Sequence, residues 1–376
     1  MIKSMILLIV FITQTLLYAQ SVTTVTEGFF TDGLAMDTNG NIYGSDWLGK
    51  TVYKYDTGGA VTVFKDGFSN PNGIAINSAN EIYVCDHTAN TIYKYDAQGN
   101  ELASFGSFSF NTPAGIQKIP NTDDMLVVEY GANKIKKLAA DGTTTTLFSG
   151  TPLNGPAGIT FIGNEIYIAN FNDRKVFRFE NNNSLVEIAQ LSSGGTTNNF
   201  LGFLSNINGM LLATQLGEHK VYLINPNTGV VTLYAGSVNG SMDGDLKNAT
   251  FSGPNGILGD TKNNSVFISD SGTKNLRIIS GAVLSTEINQ FKNIEIKVYP
   301  NPSKKNITIN FKNMIQGRLK IKIFNTNGKE VFNEEYSSVQ QDFIKEIKGV
   351  SFSKGIYLLK IEHEKGGEIS KKIILH

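Results

Sequence analysis

The chain has 376 residues with 33 Lys or Arg and 33 Asp or Glu, so its formal charge at pH 7 is zero. The balance hides two unlike parts: residues 21–283 carry 16 basic against 23 acidic side chains, net −7, and residues 284–376 carry 16 against 10, net +6. The acidic part excludes nucleic acid as a partner, since that binding is led by phosphate neutralisation, and a single cysteine, Cys85, excludes an internal disulfide.

In chain order, residues 1–19 come first: Lys3, an apolar run broken by Thr13, Gln14 and Thr15, and a small residue, Ala19. This is the pattern of a secretory signal peptide, too short and too interrupted to span a bilayer. The mature chain is then exported and carries no transmembrane span.

From residue 20 to 283 one phrase recurs six times. A glycine opens a short apolar strand, a turn follows, a second strand ends in a polar residue and a third comes next, as in NGIAINSANEIYVCDHTANTIYKYD. The openings at Gly33, Gly73, Gly115, Gly158, Gly202 and Gly256 are 40, 42, 43, 44 and 54 residues apart. That period fits a four-stranded propeller blade, and no helical periodicity interrupts it. Alternation in TVYKYD, TIYKYD and KVFRFE puts pairs such as Tyr93 and Tyr95 on one face, to pack blade on blade. Cys85, inside IYVCD, reads as a small buried hydrophobe.

The sixth repeat has only three strands, GILGD, SVFISD and NLRIIS, whereas SVTTVTEGF at 21–29 resembles AVTVFKDGF at 60–68. The expectation is an all-β, six-bladed β-propeller closed by its N-terminal strand, which removes an exposed sheet edge. Residues 235–280, with Asp243-Gly244, Ala249, Phe251, Pro254, Gly256, Asp270 and Arg277, resemble the NHL repeat. That resemblance is strong in the sixth repeat, moderate in the first, second and fourth, and weak in the third and fifth. The gluconolactonase-like propellers are similar too, so the fold alone leaves binding and catalysis both open.

After residues 284–296, read as a linker, the segment 297–376 changes to Lys- and Ile-rich strands. VYPNP, LKIKIFNTNGKEV and GIYLLKIEHEKGGEISKKIIL resemble the type A sorting domain of the type IX secretion system of certain Gram-negative bacteria. The resemblance implies a small Ig-like β-sandwich recognised by the outer-membrane translocon, with the protein secreted or attached at the outer-membrane surface after passing the periplasm. Pro300 and Pro302 call for a bend beside a sheet edge, and Asn327-Gly328 for a hairpin.

Two sets of propeller residues should converge around the channel. Before each opening glycine stand Asp32, Asn72, Ala114, Ala157, Leu201 and Asn255; the second strands end at Asp46, Asp86, Tyr130, Asn170, Gln215 and Asp270. Asp32, Asn72 and Asn255 lie on neighbouring blades, and their oxygens would suit Ca²⁺; the gluconolactonase resemblance points to the same three as metal ligands. Asn before Gly is equally a routine turn residue. The strand-ending Asp residues read as turn caps. What varies is the residue after them: Trp47, His87, Gly131, Phe171, Leu216 and Ser271. Trp47, His87 and Phe171 are therefore the candidate ligand-binding residues, and an exposed tryptophan would suit stacking. No G-x-S-x-G or H-E-x-x-H motif is present. His87 and His219 fall on opposite blades and could face each other over the channel.

The resulting expectation is an exported binding module for a surface protein or glycan. The alternative is a metal-dependent, gluconolactonase-like hydrolase or lactonase.

Overall fold

The computed structural model describes residues 20–105, 109–180, 183–195, 199–281, 295–303, 306–312, 317–326, 328–339, 343–347, 353–363 and 368–375. The segment read as a signal peptide and most of the span read as a linker lie outside them. The strand Glu295–Tyr299 takes in the last two residues of that span.

All strands and no helices make up the regular structure of the described residues. Those of 20–281 form six antiparallel sheets. The first runs Leu34–Met36, Ile42–Asp46, Thr51–Tyr55, Val61–Lys65, and the next four repeats are likewise four-stranded meanders. The sixth supplies Pro254–Asp260, Ser265–Asp270 and Asn275–Ser280. Its open edge is taken by Ser21–Thr26, antiparallel, with Ser21 opposite Ser280 and Thr24 opposite Arg277. A fifth strand, Gly244–Asp245, then adds to Ser21–Thr26, which nothing in the repeat pattern announces.

Each inner strand touches the inner strand of the next sheet, and the sixth touches the first, so the sheets form a closed ring. The recurring glycine is what allows this approach. A Cβ on Gly73 would lie 2.2 Å from the Ala114 carbonyl oxygen, and one on Gly256 would lie 1.9 Å from that of Asp32. Any side chain there would push the neighbouring sheet away.

Between sheets the core is apolar. Tyr83, Cys85 and Ile92 of the second repeat pack on Phe110, Met125 and Val127 of the third. Cys85 is fully buried, and burial pushes its thiol pKa up. Aromatic pairs bridge neighbouring sheets, with Phe64 against Tyr95 at 6.0 Å and Phe148 against Phe179 at 6.4 Å.

The residues that carried the NHL resemblance in the sixth repeat form one physical unit at the seam. The fully buried Arg277 donates to the carbonyls of Thr250 and Met242, both at 3.0 Å, and to Asp243 Oδ1 at 2.9 Å. Its guanidinium lies 5.1 Å from the centre of the Phe251 ring and 3.7 Å from Asp270 Oδ2. Asp243 in turn accepts from the backbone N–H and hydroxyl of Thr24 at 3.0 and 2.9 Å. One arginine therefore ties the first strand of the chain to the last repeat.

The C-terminal part has two sheets. One holds Glu295–Tyr299, Ile307–Lys312 and Phe343–Ile347; the other runs Glu330–Val339, Gly317–Asn325, Gly355–His363, Glu368–Leu375. They share a core that includes Ile309, Phe311, Ile321, Ile323, Leu359 and Ile361. Asn301, between the two prolines, donates to the Lys372 carbonyl and accepts from the Ile374 N–H. The bend is thereby pinned to the edge strand of the larger sheet.

Candidate functional site

Because the inner strands run side by side around the ring axis, the residues entering them and those leaving the second strands meet at one end of the axis. There they enclose a cavity of about 500 Å³. Its wall includes Asp32, Asn72 and Asn255 from one set and Trp47, His87 and Phe171 from the other. All six sequence-selected residues thus come together. His219 is not part of this wall; its Nδ1 accepts the Gly253 N–H.

The strand-ending acids turn away from the cavity into local caps. Asp86 accepts the N–H groups of Ser69 and Asn70 at 2.7 and 2.9 Å, and Asp270 accepts that of Ser252 at 2.7 Å. In the third repeat this position belongs to Glu129, which ends its strand and accepts the Asn111 N–H. Tyr130 therefore matches Trp47 and His87, correcting the alignment that placed Tyr130 at the strand end and Gly131 after it. Glutamate in place of aspartate hid the register, although VVE-Y set against VCD-H would have found it.

The correction completes an arc of rings along the mouth. Trp47 lies 5.1 Å from His87, His87 5.6 Å from Tyr130, Tyr130 6.0 Å from Phe171, and Phe171 stacks on Phe200 at 4.5 Å. These spacings are those of mutually supporting aromatic contacts, so the rings hold one another in place.

The fifth repeat departs from the pattern. Leu201 pairs with Gln215 as Pro71 pairs with Asp86, so Phe203 stands where the second repeat has Gly73. Leu201 itself is fully buried, and Phe203 lines both the mouth and a smaller cavity of about 130 Å³ at the other end of the axis. A large ring occupies the middle of the channel.

At the floor, Asp32 is only 7% exposed. Thr31 Oγ and Asn255 Nδ2 donate to its two carboxyl oxygens, each at 2.7 Å, yet burial outweighs both bonds and pushes its pKa up to about 7. Asn72 is 9% exposed, and its Oδ1 is buried without a partner. His87 Nδ1 is in the same condition. Burial holds the imidazole pKa below the ordinary value, against a hydrogen bond to the Pro113 backbone and the charge of Asp86. Lys274 Nζ reaches the wall but is paired with Asp46 Oδ2 at 2.9 Å.

This arrangement bears on Ca²⁺, which takes six to eight oxygen ligands. Both Asp32 oxygens are already met by donors, and Asn255 turns its nitrogen toward them. Asn72 Oδ1 is buried without a partner. As placed, Asp32 and Asn255 are hydrogen-bonded to each other through the Asn255 nitrogen.

Residues 297–376 match the family described as secretion system C-terminal sorting domain, and residues 68–95 match the NHL repeat. The NHL match falls on the second repeat rather than the sixth. A Bacteroides thetaiotaomicron protein of unknown function superposes with a TM-score of 0.60 at 16% identity, covering 70% of this chain and 76% of that one. An auxiliary nutrient binding protein from the same organism gives 0.56 at 17%, covering 69% and 76%. The larger part of the chain is a β-propeller. A gluconolactonase from Xanthomonas campestris gives 0.55 at 15%, covering 69% and 89%, so likeness of fold extends to both a binding protein and an enzyme. No curated protein matches the chain.

The sorting domain makes the propeller a type IX cargo, secreted or attached at the outer-membrane surface. No helix among the described residues is long and apolar enough to cross a membrane.

Proposed function

We propose that the protein is a surface or secreted recognition module: a six-bladed propeller that takes its ligand at the channel mouth, exported by an Ig-like sorting domain that engages the type IX translocon. The observation that carries this reading is the mouth itself. A continuous arc of aromatic rings borders a cavity of about 500 Å³, within the usual range for ligand sites, with Phe203 across the channel beneath it. Aromatic walls with a few unmatched polar atoms bind by stacking and orientation, and they need no nucleophile or metal to do so.

The second reading is a Ca²⁺-dependent lactonase. It is supported by Asp32 and the open Asn72 Oδ1 sharing one cavity, where a metal would polarise a carbonyl. It requires Asn255 to turn its oxygen inward and Thr31 to give up its bond. Trp47 is the only tryptophan and gives a clean optical reporter. Titration of the protein with glycans and small organic ligands should shift its emission saturably, with no Ca²⁺ requirement. Turnover of sugar lactones that appears only with Ca²⁺ and vanishes in Asp32→Ala would replace the binding reading with the enzyme.

A further inference from the structure

The polar atoms of the mouth are unevenly committed. Several of its hydrogens are taken: Thr31 Oγ and Asn255 Nδ2 donate to Asp32, Ser271 Oγ to the Gly253 carbonyl, and Lys274 Nζ to Asp46. Two buried atoms on residues of the wall have no partner, the acceptor Asn72 Oδ1 and the ring nitrogen His87 Nδ1. A buried acceptor without a partner is costly, and the group that relieves it must bring hydrogens. A carboxylate or phosphate brings only lone pairs and would add to the deficit.

The remainder of the wall favours positive charge. The rings of Trp47, Tyr130 and Phe171 line it in sequence, and aromatic rings attract cations over their faces. Lys274, a cation already on the wall, is neutralised by Asp46. Residues 21–283 carry a net charge of −7, which draws cations toward the ring.

We propose that the mouth binds a small organic ammonium ion, its apolar body against Phe171 and Phe203 and its N–H groups directed to Asn72 Oδ1 and Asp32. This rests on the mouth being the ligand site. An ammonium has three donors and no acceptor, which is what the open atoms require. The carboxyl of Asp32 lies on the same wall.

The test uses three probes of one shape, benzylammonium, benzyl alcohol and benzoate, titrated calorimetrically into the full chain at one pH near 8. Benzylammonium should bind at least about tenfold more tightly than benzyl alcohol. Benzoate should not bind. Asp32→Asn and Asn72→Leu should each weaken benzylammonium and leave benzyl alcohol unchanged; if either variant misfolds, the three-probe comparison on the wild type decides. Equal or tighter binding of benzyl alcohol or benzoate would overturn the proposal while leaving the mouth as a site, provided Trp47 emission responds. No binding of benzylammonium would overturn it as well, and the recognition reading would then stand or fall on its own ligand panel.

Discussion

The closing seam of the ring and the mouth of its channel are both buried and polar, but they are finished differently. At the seam the chain supplies most of the partners: Arg277 spends its terminal nitrogens on two carbonyls and Asp243, with only its Nε unmatched, and Asp243 also holds Thr24. At the mouth the chain stops short, leaving Asn72 Oδ1 and His87 Nδ1 open and Asp32 with its pKa near neutral. Buried polarity with partners from the same chain marks structure. The same polarity left open, inside a cavity walled by aromatic rings, marks a place for something else.

The comparison breaks first at the seam. Deleting residues 21–28 removes the strand on the edge of Asn275–Ser280 together with the Thr24–Asp243 bonds. Thermal unfolding should drop by on the order of 10 °C or more, with proteolysis cutting the sixth repeat first. An unchanged melting temperature would mean the ring does not depend on this closure. Arg277→Met should come next, at about 3–5 kcal/mol in urea unfolding, because it leaves Asp243 and Asp270 without their cation. Its folded fraction should keep an intact mouth.

Asp32 gives a smaller effect that depends on pH. Its folded pKa of about 7 lies above the unfolded value near 3.9, so the stability tied to its proton is fully present below about pH 4. That stability is lost as pH rises through 7. Asp32→Asn keeps the shape without the charge, so it should be more stable than the wild type at pH 8, by on the order of 4 kcal/mol at most, and show almost no gain at pH 4. Asp270, pushed up to about 6 by burial, acts in the same direction in both proteins and cancels from the difference. An equal gap at both pH values would show that Asp32 is not held protonated by its surroundings.

Much of the ring was legible because its geometry repeats. Glycine recurs where a neighbouring sheet comes within 2–3 Å of a would-be Cβ, and that need leaves a periodic mark. The missing strand was legible because SVTTVTEGF resembles another outer strand. The exceptions left no such mark. Gly244–Asp245 pairs next to Asp243, which Arg277 holds by a contact across 34 residues that no local pattern encodes. Tyr130 was misaligned because Glu129 does the capping usually done by aspartate, and Phe203 because LGF imitates the glycine phrase one residue out of register. At the site, divergence between repeats pointed to Trp47, His87 and Phe171. It could not reveal which polar atoms are open, since that depends on where each hydrogen goes.

The claim that the mouth is the functional site is tested most directly by pairing Phe171→Ala with Arg277→Met and reading Trp47 emission and unfolding on both. Phe171→Ala should weaken saturable binding at Trp47 at least about tenfold while shifting stability by no more than roughly 1 kcal/mol, since its ring meets Tyr130 and Phe200 at the rim rather than in the core between sheets. Arg277→Met should do the reverse, losing stability while the folded protein binds as before. Binding that survives Phe171→Ala unchanged would contradict the account.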